Sequence, residues 1–130
     1  DFVMITNYSI PVGIAFQLQD DILGLYGTEE KIGKPVTSDL EEGKKTLLMI
    51  KTMENPKYKN EILKLLGKKN ISLEELEIVR KIVKDSGALD YTYSLAKDMV
   101  SKGIKSLGNI DTQEKLFLKE FADYVIKRNF

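Results

Sequence analysis

The segment of this chain with the most chemical promise reads FQLQDD at 16–21 and ends in two adjacent aspartates, Asp20 and Asp21. Adjacent carboxylates in an otherwise apolar stretch are costly, because like charges repel and a charge withdrawn from water needs a partner. Cationic groups are therefore expected beside them. Two segments downstream supply lysines, GKP at 33–35 and SDLEEGKKT at 38–46. Lysine-bearing loops beside an acidic helix indicate an anionic ligand, and a phosphate ester is the ligand that we expect.

The polar positions of the acidic segment are spaced i, i+3, i+4 and i+7, which places them on one face of a helix. They are Gln17, Asp20, Asp21 and Gly24. The adjacent stripe is apolar and consists of Ile14, Leu18, Ile22 and Leu25. The helix is therefore expected to bury one side and to turn a polar wall towards a cavity. Two hard carboxylates there can share magnesium ions that also bind phosphate oxygens and water. Gly24, which has no side chain, is expected to leave space for water or ligand below Asp20.

The ordinary role of an isolated Asp-Asp pair is to cap or solvate a helix. Apolar residues flank this pair on both sides, which makes it a poor cap. The binding interpretation is therefore favoured for Asp20 and Asp21.

Lys34 and Lys44 are the candidate phosphate-binding cations. Gly33 permits close approach of the backbone before Lys34, and Pro35 stiffens the loop after it. Lys44 follows Gly43 at the predicted start of a helix, where free N–H groups attract anions. Either lysine alone has the pattern of a solvated surface charge, and no Walker-type phosphate loop occurs. The joint arrangement with the acidic helix is what supports a site.

The amino-acid composition excludes several classes of binding partner and of catalytic site. The 130 residues, 42% of them hydrophobic, are enough for one domain with a real core. Twenty basic and twenty acidic residues cancel, which argues against a nucleic-acid binder held by bulk electrostatics. The chain has no cysteine and no histidine, so thiolate ligation, zinc triads and Ser-His catalysis are excluded. A bound metal must accept oxygen ligands, which points to Mg²⁺, Mn²⁺ or Ca²⁺. No apolar run reaches the roughly 18 residues of a transmembrane helix.

The chain is predicted to be all-α, because no segment shows the period-two alternation of a strand. Caps, glycines and prolines indicate where the helices begin and end. The predicted helices are 2–25 with a kink or restart at Pro11, about 44–53, one from Asn55-Pro56 to Gly67, one from the capping box Ser72/Glu75 to Gly87, one from a cap at Asp85 or Ser86 to Gly108, and one from a capping arrangement of Asp111 with Glu114 through Phe117, Phe121 and Val125 to Arg128. A loop rich in glycine and charge is expected over 26–43.

A longer motif indicates a particular protein family. The segment GIAFQLQDDILG at 13–24 resembles the second aspartate-rich motif of the trans-isoprenyl diphosphate synthases. GKP at 33–35 and SDLEEGKKTL at 38–47 match the segment that trails this motif, in order and at family spacing. The version with Gly24 and the EEGKK run is most similar to archaeal-type geranylgeranyl or farnesyl diphosphate synthases. The resemblance covers essentially the whole chain and is strongest over 13–48.

This resemblance implies the C-terminal part of the isoprenoid synthase helical bundle, in which two aspartate-rich helices face each other across a cavity. It implies an enzyme that condenses an allylic diphosphate with isopentenyl diphosphate. Asp20 and Asp21 would hold Mg²⁺, for which Mn²⁺ is a substitute, and the metal would neutralise the departing diphosphate. Gln17, Lys34 and Lys44 would bind the allylic diphosphate. No catalytic residue is separable from metal and substrate binding, and a cytoplasmic homodimer without a nucleic-acid partner is expected.

Two departures from the family pattern matter. Many relatives carry a third aspartate where this chain has Gly24. The first aspartate-rich motif and the basic residues for isopentenyl diphosphate, which precede the second motif in the family, have no counterpart. Residues 1–130 are therefore expected to form a single partial domain, the C-terminal portion of a synthase without its N-terminal half, and to be inactive in isolation.

Two alternatives remain open on the sequence. In the first alternative, the chain is a catalytically silent helical partner with the same fold. An upstream D-D-x-x-D motif would argue against that hypothesis. Otherwise it is an unrelated helical interaction domain with an incidental aspartate pair. That last hypothesis requires the loops of Lys34 and Lys44 to face away from Asp20 and Asp21.

Overall fold

The computed structural model describes residues 2–127, and over that range the chain contains α-helices and no strand. The helices are α1 Phe2–Tyr26, α2 Glu29–Ile32, α3 Ser38–Glu41, α4 Leu47–Met53, α5 Pro56–Leu65, α6 Leu73–Asp85, α7 Ala88–Lys105 and α8 Gln113–Lys127. The all-α prediction is confirmed. None of the helices among these residues has the length and apolar character needed to cross a membrane.

The chain divides into two compact units. In the described range the first unit comprises residues 2–19 and 93–127, and the second unit comprises residues 20–92. The helix α1 therefore contributes to both, with Gln17 in the first unit and both aspartates in the second.

Helix α1 runs through Pro11 without a break, so the predicted restart is wrong. A proline inside a helix removes one hydrogen bond and crowds the preceding turn. Tertiary packing offsets that cost here, because Pro11 and Val12 are buried and α7 approaches them closely at Gly103. A Cβ on Gly103 would lie 2.6 Å from Cγ2 of Val12 and 3.2 Å from the carbonyl oxygen of Tyr8. Helix stability in proteins comes mostly from such packing rather than from intrinsic propensity.

In the first unit, side-chain hydrogen bonds join α1 to α8. The hydroxyl of Tyr8 donates to the carbonyl oxygen of Leu118 at 2.7 Å. The amide of Gln19, a buried residue, donates to the carbonyl of Ile126 at 3.1 Å and to that of Val125 at 3.4 Å. A buried amide needs such partners, because an unpaired polar group away from water is costly. The apolar core of this unit includes Val12, Ala15, Leu18, Ala96, Val100, Leu107, Ala122 and Val125.

In the second unit, Arg80 of α6 clamps the C-terminal end of α1. Its Nε donates to the carbonyl of Leu25 at 2.7 Å and its Nη2 to the carbonyl of Gly27 at 3.1 Å. The hydroxyl of Tyr26 in turn donates to the carbonyl of Arg80 at 2.6 Å. The last carbonyls of a helix have no partner within the helix, so this clamp stabilises the end that follows the two aspartates. The apolar core of this unit includes Ile22, Leu25, Leu40, Leu48, Met49, Ile62, Leu76, Val79 and Val83.

Several predicted caps are confirmed. Ser72 and Glu75 form a reciprocal capping box at the start of α6, with both hydrogen bonds at 3.0 Å. The side chain of Asn55 accepts from the N–H of Lys57 at 3.0 Å, and Pro56 opens α5. Of the two candidates for α7, the hydroxyl of Ser86 is the one that accepts from the N–H of Ala88, at 3.2 Å.

Other boundaries differ from the prediction. Helix α4 begins at Leu47 rather than at Lys44, because Thr46 is its cap and accepts from the N–H of Met49 at 3.2 Å. Thr112 rather than Asp111 accepts the capping hydrogen bond at α8, from the N–H of Lys115 at 3.1 Å. The predicted loop over 26–43 contains the two short helices α2 and α3. The predicted end of the last helix at Arg128 lies outside the described residues.

Candidate functional site

The acidic pair lies in the last two turns of α1, within the second unit. Asp20 is partly buried, and the side chain of Asp21 is only 7% exposed. Leu18 and Ile22 of the predicted apolar stripe are buried as expected, whereas Ile14 at its N-terminal end is 43% exposed. The end of the helix is therefore packed on its apolar side and carries its carboxylates beside that packed face.

Lys44 lies against the buried carboxylate. Its Nζ is 3.5 Å from Oδ1 of Asp21. Burial of a charge is tolerated when an opposite charge accompanies it. The expectation that a cation sits among the aspartates is met by this lysine. The start of α4 at Leu47 means that Lys44 acts from the loop before that helix and not from the helix itself.

Lys34 pairs with a carboxylate that the sequence pattern does not single out. Its Nζ donates to Oδ1 of Asp39 at 2.6 Å, and the Asp39 side chain is only 14% exposed. This hydrogen bond raises the pKa of Lys34, while partial desolvation opposes the rise. The negative charges of Asp39, Glu42 and Asp20 raise the Lys34 pKa further. Lys34 is therefore cationic at neutral pH, and its loop lies within the electrostatic reach of the acidic helix.

Asp39 occupies the space directly beside Gly24, which corrects the expectation of room for a ligand there and leaves a cavity for about one water molecule. An ideal Cβ on Gly24 would lie 2.2 Å from Oδ2 and 3.2 Å from Cγ of Asp39. No real side chain sits that close to a carboxylate oxygen. The absence of a side chain at position 24 admits Asp39 to the helix surface.

The segment that carries Asp39 and Lys44 is held by the turn between α5 and α6. The N–H of Gly67 donates to the carbonyl of Leu40 at 2.7 Å. The ammonium of Lys69 donates to the carbonyl of Glu41 at 3.0 Å, and the Glu41 carboxylate accepts from the N–H of Ile71 at 3.0 Å. Leu40 is buried among the core residues of the unit. These three hydrogen bonds fix the loop against a neighbouring element.

A cavity of about 10 Å³ lies where these groups meet, which is room for about one water molecule. It is lined by Asp21, Gly24, Leu25, Asp39, Leu40, Lys44, Thr46, Leu48 and Met49. Its polar lining combines two carboxylates with one ammonium, so the small space carries an excess of one negative charge.

Gln17 is the remaining candidate residue on α1, and the aspartates are the candidate metal ligands. Gln17 lies on α1 three residues before Asp20, belongs to the first unit and has an exposed side chain. Within residues 2–127 no three acid, histidine or cysteine side chains are grouped closely enough to hold a metal ion. The aspartates offer the hard oxygen donors that Mg²⁺ prefers. They fit such an ion as two of its ligands, with substrate phosphates and water as the others.

Fold and site together define an all-α protein in which an acidic helix end meets two lysine-bearing loops. Residues 1–84 match the family model described as polyprenyl synthetase, and the chain belongs to that family. The hypothesis of an unrelated helical domain is wrong on this ground and on its own criterion, since Lys44 lies against Asp21.

Similar curated proteins include several archaeal prenyl diphosphate synthases. The chain is 42% identical over 133 residues to the geranylgeranyl diphosphate synthase of Sulfolobus acidocaldarius. The alignment covers 98% of this chain and 40% of that protein. It is 39% identical over 128 residues to the geranylfarnesyl diphosphate synthase of Aeropyrum pernix, with 96% and 40% covered. The chain therefore spans about 40% of the length of these relatives and matches their C-terminal portion.

Solved structures agree with the sequence relatives. The geranylgeranyl pyrophosphate synthase of Corynebacterium glutamicum, complexed with isoprenyl diphosphate and magnesium, matches with a TM-score of 0.87 at 27% identity, over 97% of this chain and 37% of that one. The geranylgeranyl pyrophosphate synthetase of Pyrococcus horikoshii matches with a TM-score of 0.84 at 33% identity, over 97% and 39%. The predicted family and the predicted isoprenoid synthase fold are confirmed.

Proposed function

We propose that this chain is the C-terminal portion of a prenyltransferase that condenses an allylic diphosphate with isopentenyl diphosphate. The product would be a longer linear isoprenyl diphosphate of the geranylgeranyl or farnesyl type. One observation carries the proposal: Asp21, in the segment that resembles the second aspartate-rich motif, is paired at 3.5 Å with Lys44, in the segment that trails it. Membership of the polyprenyl synthetase family supports it.

Lys34 and Lys44 bind the diphosphate of the allylic substrate. An ammonium has three N–H donors and no acceptor, so each lysine keeps donors for phosphate oxygens while it contacts a carboxylate. Lys34 is 42% exposed and Lys44 is 43% exposed, which leaves both accessible to a ligand. Gln17, with its uncharged amide, adds a donor one turn before Asp20 without adding charge.

Asp20 and Asp21 hold the metal on this wall of the site. When bound, Mg²⁺ neutralises the charge that builds on the diphosphate as it leaves the allylic carbon. The two carboxylates would hold the ion beside the phosphates, and Lys34 and Lys44 would add further positive charge to the diphosphate. The Corynebacterium glutamicum enzyme is complexed with isoprenyl diphosphate and magnesium, and a polyprenyl synthase of Caulobacter crescentus is complexed with calcium and isoprenyl diphosphate. We propose Mg²⁺ as the working ion here, with Mn²⁺ as its substitute.

The family resemblance supports two further proposals, a homodimeric synthase and a cytoplasmic location. Sedimentation of the full-length protein tests the first, and fractionation of cells that express it tests the second. A monomeric mass at micromolar concentration, or recovery in the membrane fraction, contradicts the respective proposal.

The experiment that tests the activity uses the full-length synthase that contains this chain. It is incubated with labelled isopentenyl diphosphate and with dimethylallyl, geranyl or farnesyl diphosphate, with Mg²⁺ or with excess chelator. We expect a longer labelled prenyl diphosphate that forms only with the metal. A protein that binds the substrates but forms no product with any of them is the silent helical partner instead.

A further inference from the structure

Asp39 is a largely buried carboxylate, with a side chain 14% exposed, that the proposed function does not use. Asp39 is part of α3 and lies between two residues from other segments. One is Lys34, in the loop before α3, and the other is Gly24, on α1. One carboxylate oxygen accepts from Nζ of Lys34 at 2.6 Å. The other oxygen is seated where a side chain at position 24 would begin, 2.2 Å from an ideal Cβ.

This seating restrains the carboxylate in a way that the ion pair alone does not. Pairs between exposed charges are weak and mobile, because both side chains remain free to move in water. Asp39 is only 14% exposed, and its carboxylate rests on the surface of a helix. A restrained carboxylate restrains the ammonium that it contacts. Two of the three N–H donors of Lys34 remain for another anion.

We propose that Asp39 is a positioning residue for Lys34, and that Gly24 is its seat. The bare helix surface at position 24 admits the carboxylate of Asp39, which directs the ammonium of Lys34. The proposal rests on the proposed function in one respect only, that Lys34 contacts the allylic diphosphate. Position 24 then controls diphosphate binding without touching the substrate.

The kinetic test compares three single variants of the full-length synthase. Gly24→Ala places a methyl group against the carboxylate, and Asp39→Asn removes its charge without adding bulk. Gly13→Ala is the matched control, since it is on the same helix and a Cβ there meets nothing within 4 Å. Steady-state kcat and KM are measured with the allylic diphosphate varied and then with isopentenyl diphosphate varied.

We expect Gly24→Ala and Asp39→Asn to raise KM for the allylic diphosphate by about tenfold, the weight of one charge-assisted hydrogen bond. We expect KM for isopentenyl diphosphate, and both constants of Gly13→Ala, to stay within about twofold of the parent. In a Lys34→Met background the same two changes should add almost nothing, because they act through Lys34. A tenfold effect that persists in that background, or a Gly24→Ala variant that behaves like Gly13→Ala, overturns the proposal.

A second measurement does not depend on turnover. Alanine favours a helix over glycine, so Gly13→Ala should raise the unfolding midpoint. Gly24→Ala should lower it, and Asp39→Ala in the same chain should remove that difference, because the methyl group then has room. If the parent has no prenyltransferase activity but this pattern of stabilities holds, the proposed function is wrong and the contact between Asp39 and Gly24 is still supported. If the parent is active and the pattern is absent, the seat is wrong and the function remains.

Discussion

At the residue scale, loss of a metal-binding residue is expected to reduce turnover more than loss of a phosphate-binding residue. Asp20→Ala should reduce turnover more than Lys34→Ala or Lys44→Ala does. Loss of a metal ligand unbalances the remaining charges, whereas loss of one lysine leaves the metal and the other lysine in place. The measurement is steady-state kinetics of the three variants of the full-length synthase at saturating Mg²⁺, with the allylic substrate varied.

Near-parental turnover of Asp20→Ala together with an inactive Lys34→Ala would contradict these roles. Lys45→Ala serves as the control for removal of a positive charge, since Lys45 is exposed and next to Lys44. It should change both kinetic constants by less than about twofold, the usual size of an effect at a surface charge.

The candidate residues on α1 and in the lysine loops are predictable from residue type and spacing, but Asp39 and Glu41 are not. Helical spacing alone places Asp20 and Asp21 on one face with Gln17. Asp39 follows no periodic pattern, because its position depends on the path by which the segment containing α3 returns to α1 fifteen residues after Gly24. A glycine on the polar face of the helix is the one signal in the sequence, and it is equally compatible with empty space and with a close approach of another side chain.

At the element scale, the turn between α5 and α6 is expected to hold the lysine loop in place. Gly67 has φ +86°, a left-handed conformation that side chains rarely adopt, and its N–H donates to the carbonyl of Leu40 at 2.7 Å. Gly67→Ala should destabilise the protein by about 1 kcal/mol and should also raise KM for the allylic diphosphate. The backbone shift reaches Lys44 through Leu40. Denaturant unfolding and steady-state kinetics measure the two effects.

Gly87→Ala is the matched control for that strain. Gly87 also has φ +86°, and a Cβ there meets nothing within 4 Å. It should show the same loss of stability without the change in KM. Equal kinetic constants for the two variants would mean that the turn does not position the loop.

The clamp between α1 and α6 predicts a pH dependence of stability. Burial raises the pKa of Tyr26 above its ordinary value of 10.0. The guanidinium of Arg80 opposes that rise, and the carboxylates of Asp85 and Glu77 reinforce it. Because the folded state favours the protonated phenol, its contribution to stability is complete below about pH 10 and is lost as the pH rises through the higher folded pKa.

Tyr26→Phe should therefore be less stable than the parent by roughly 1 kcal/mol at about pH 8, through the lost hydrogen bond. The difference should shrink as the pH rises above about 10. Urea unfolding of both proteins between about pH 8 and 11 measures it. Tyr124→Phe, at a phenol that is 63% exposed, should track the parent throughout. A constant difference between Tyr26→Phe and the parent would show that the phenol does not contribute in this way.

The existence of a helix is easier to predict than its boundaries. The capping box at Ser72 requires two suitable side chains three residues apart, and the predicted start of α6 is confirmed. At α8 two adjacent residues, Asp111 and Thr112, both have capping side chains, and sequence alone does not rank them. Thr112 takes the capping position, while Asp111 pairs with the ammonium of Lys115 at 3.2 Å.

At the scale of the whole molecule, the family is predictable because its motif is local. Most of the resemblance lies in residues 13–48, and a short motif of that kind needs no knowledge of the tertiary fold. Which surfaces are exposed is predictable only in outline, since burial depends on neighbours that a single sequence does not specify. In the first unit, α1 exposes several large apolar side chains, namely Phe2, Val3, Ile5, Ile10, Ile14 and Phe16.

That exposed face predicts self-association of the 130-residue chain when it is produced alone. Ile10 and Ile14 line a groove of about 600 Å³ in the first unit, together with Met99 of α7. Exposed apolar surface of this kind favours association in water. Sedimentation velocity over a range of concentrations should show a rising mass, and Ile10→Lys should reduce it. Ile78→Lys, at a 49% exposed residue of α6, is the matched control and should leave the association unchanged. A monodisperse, cooperatively folding monomer would contradict the prediction.

The same chain should have no prenyltransferase activity on its own. Within residues 2–127 no cluster of three carboxylates can hold a metal ion, so Asp20 and Asp21 form one wall of a metal site and not a closed one. The family resemblance implies a second aspartate-rich helix across the cavity, and without it the metal would neutralise the departing diphosphate from one side only. The assay mixes the purified chain with Mg²⁺, labelled isopentenyl diphosphate and an allylic diphosphate, beside the full-length synthase as the positive control. Product formation by the isolated chain at more than about a thousandth of the full-length rate would mean that one wall suffices.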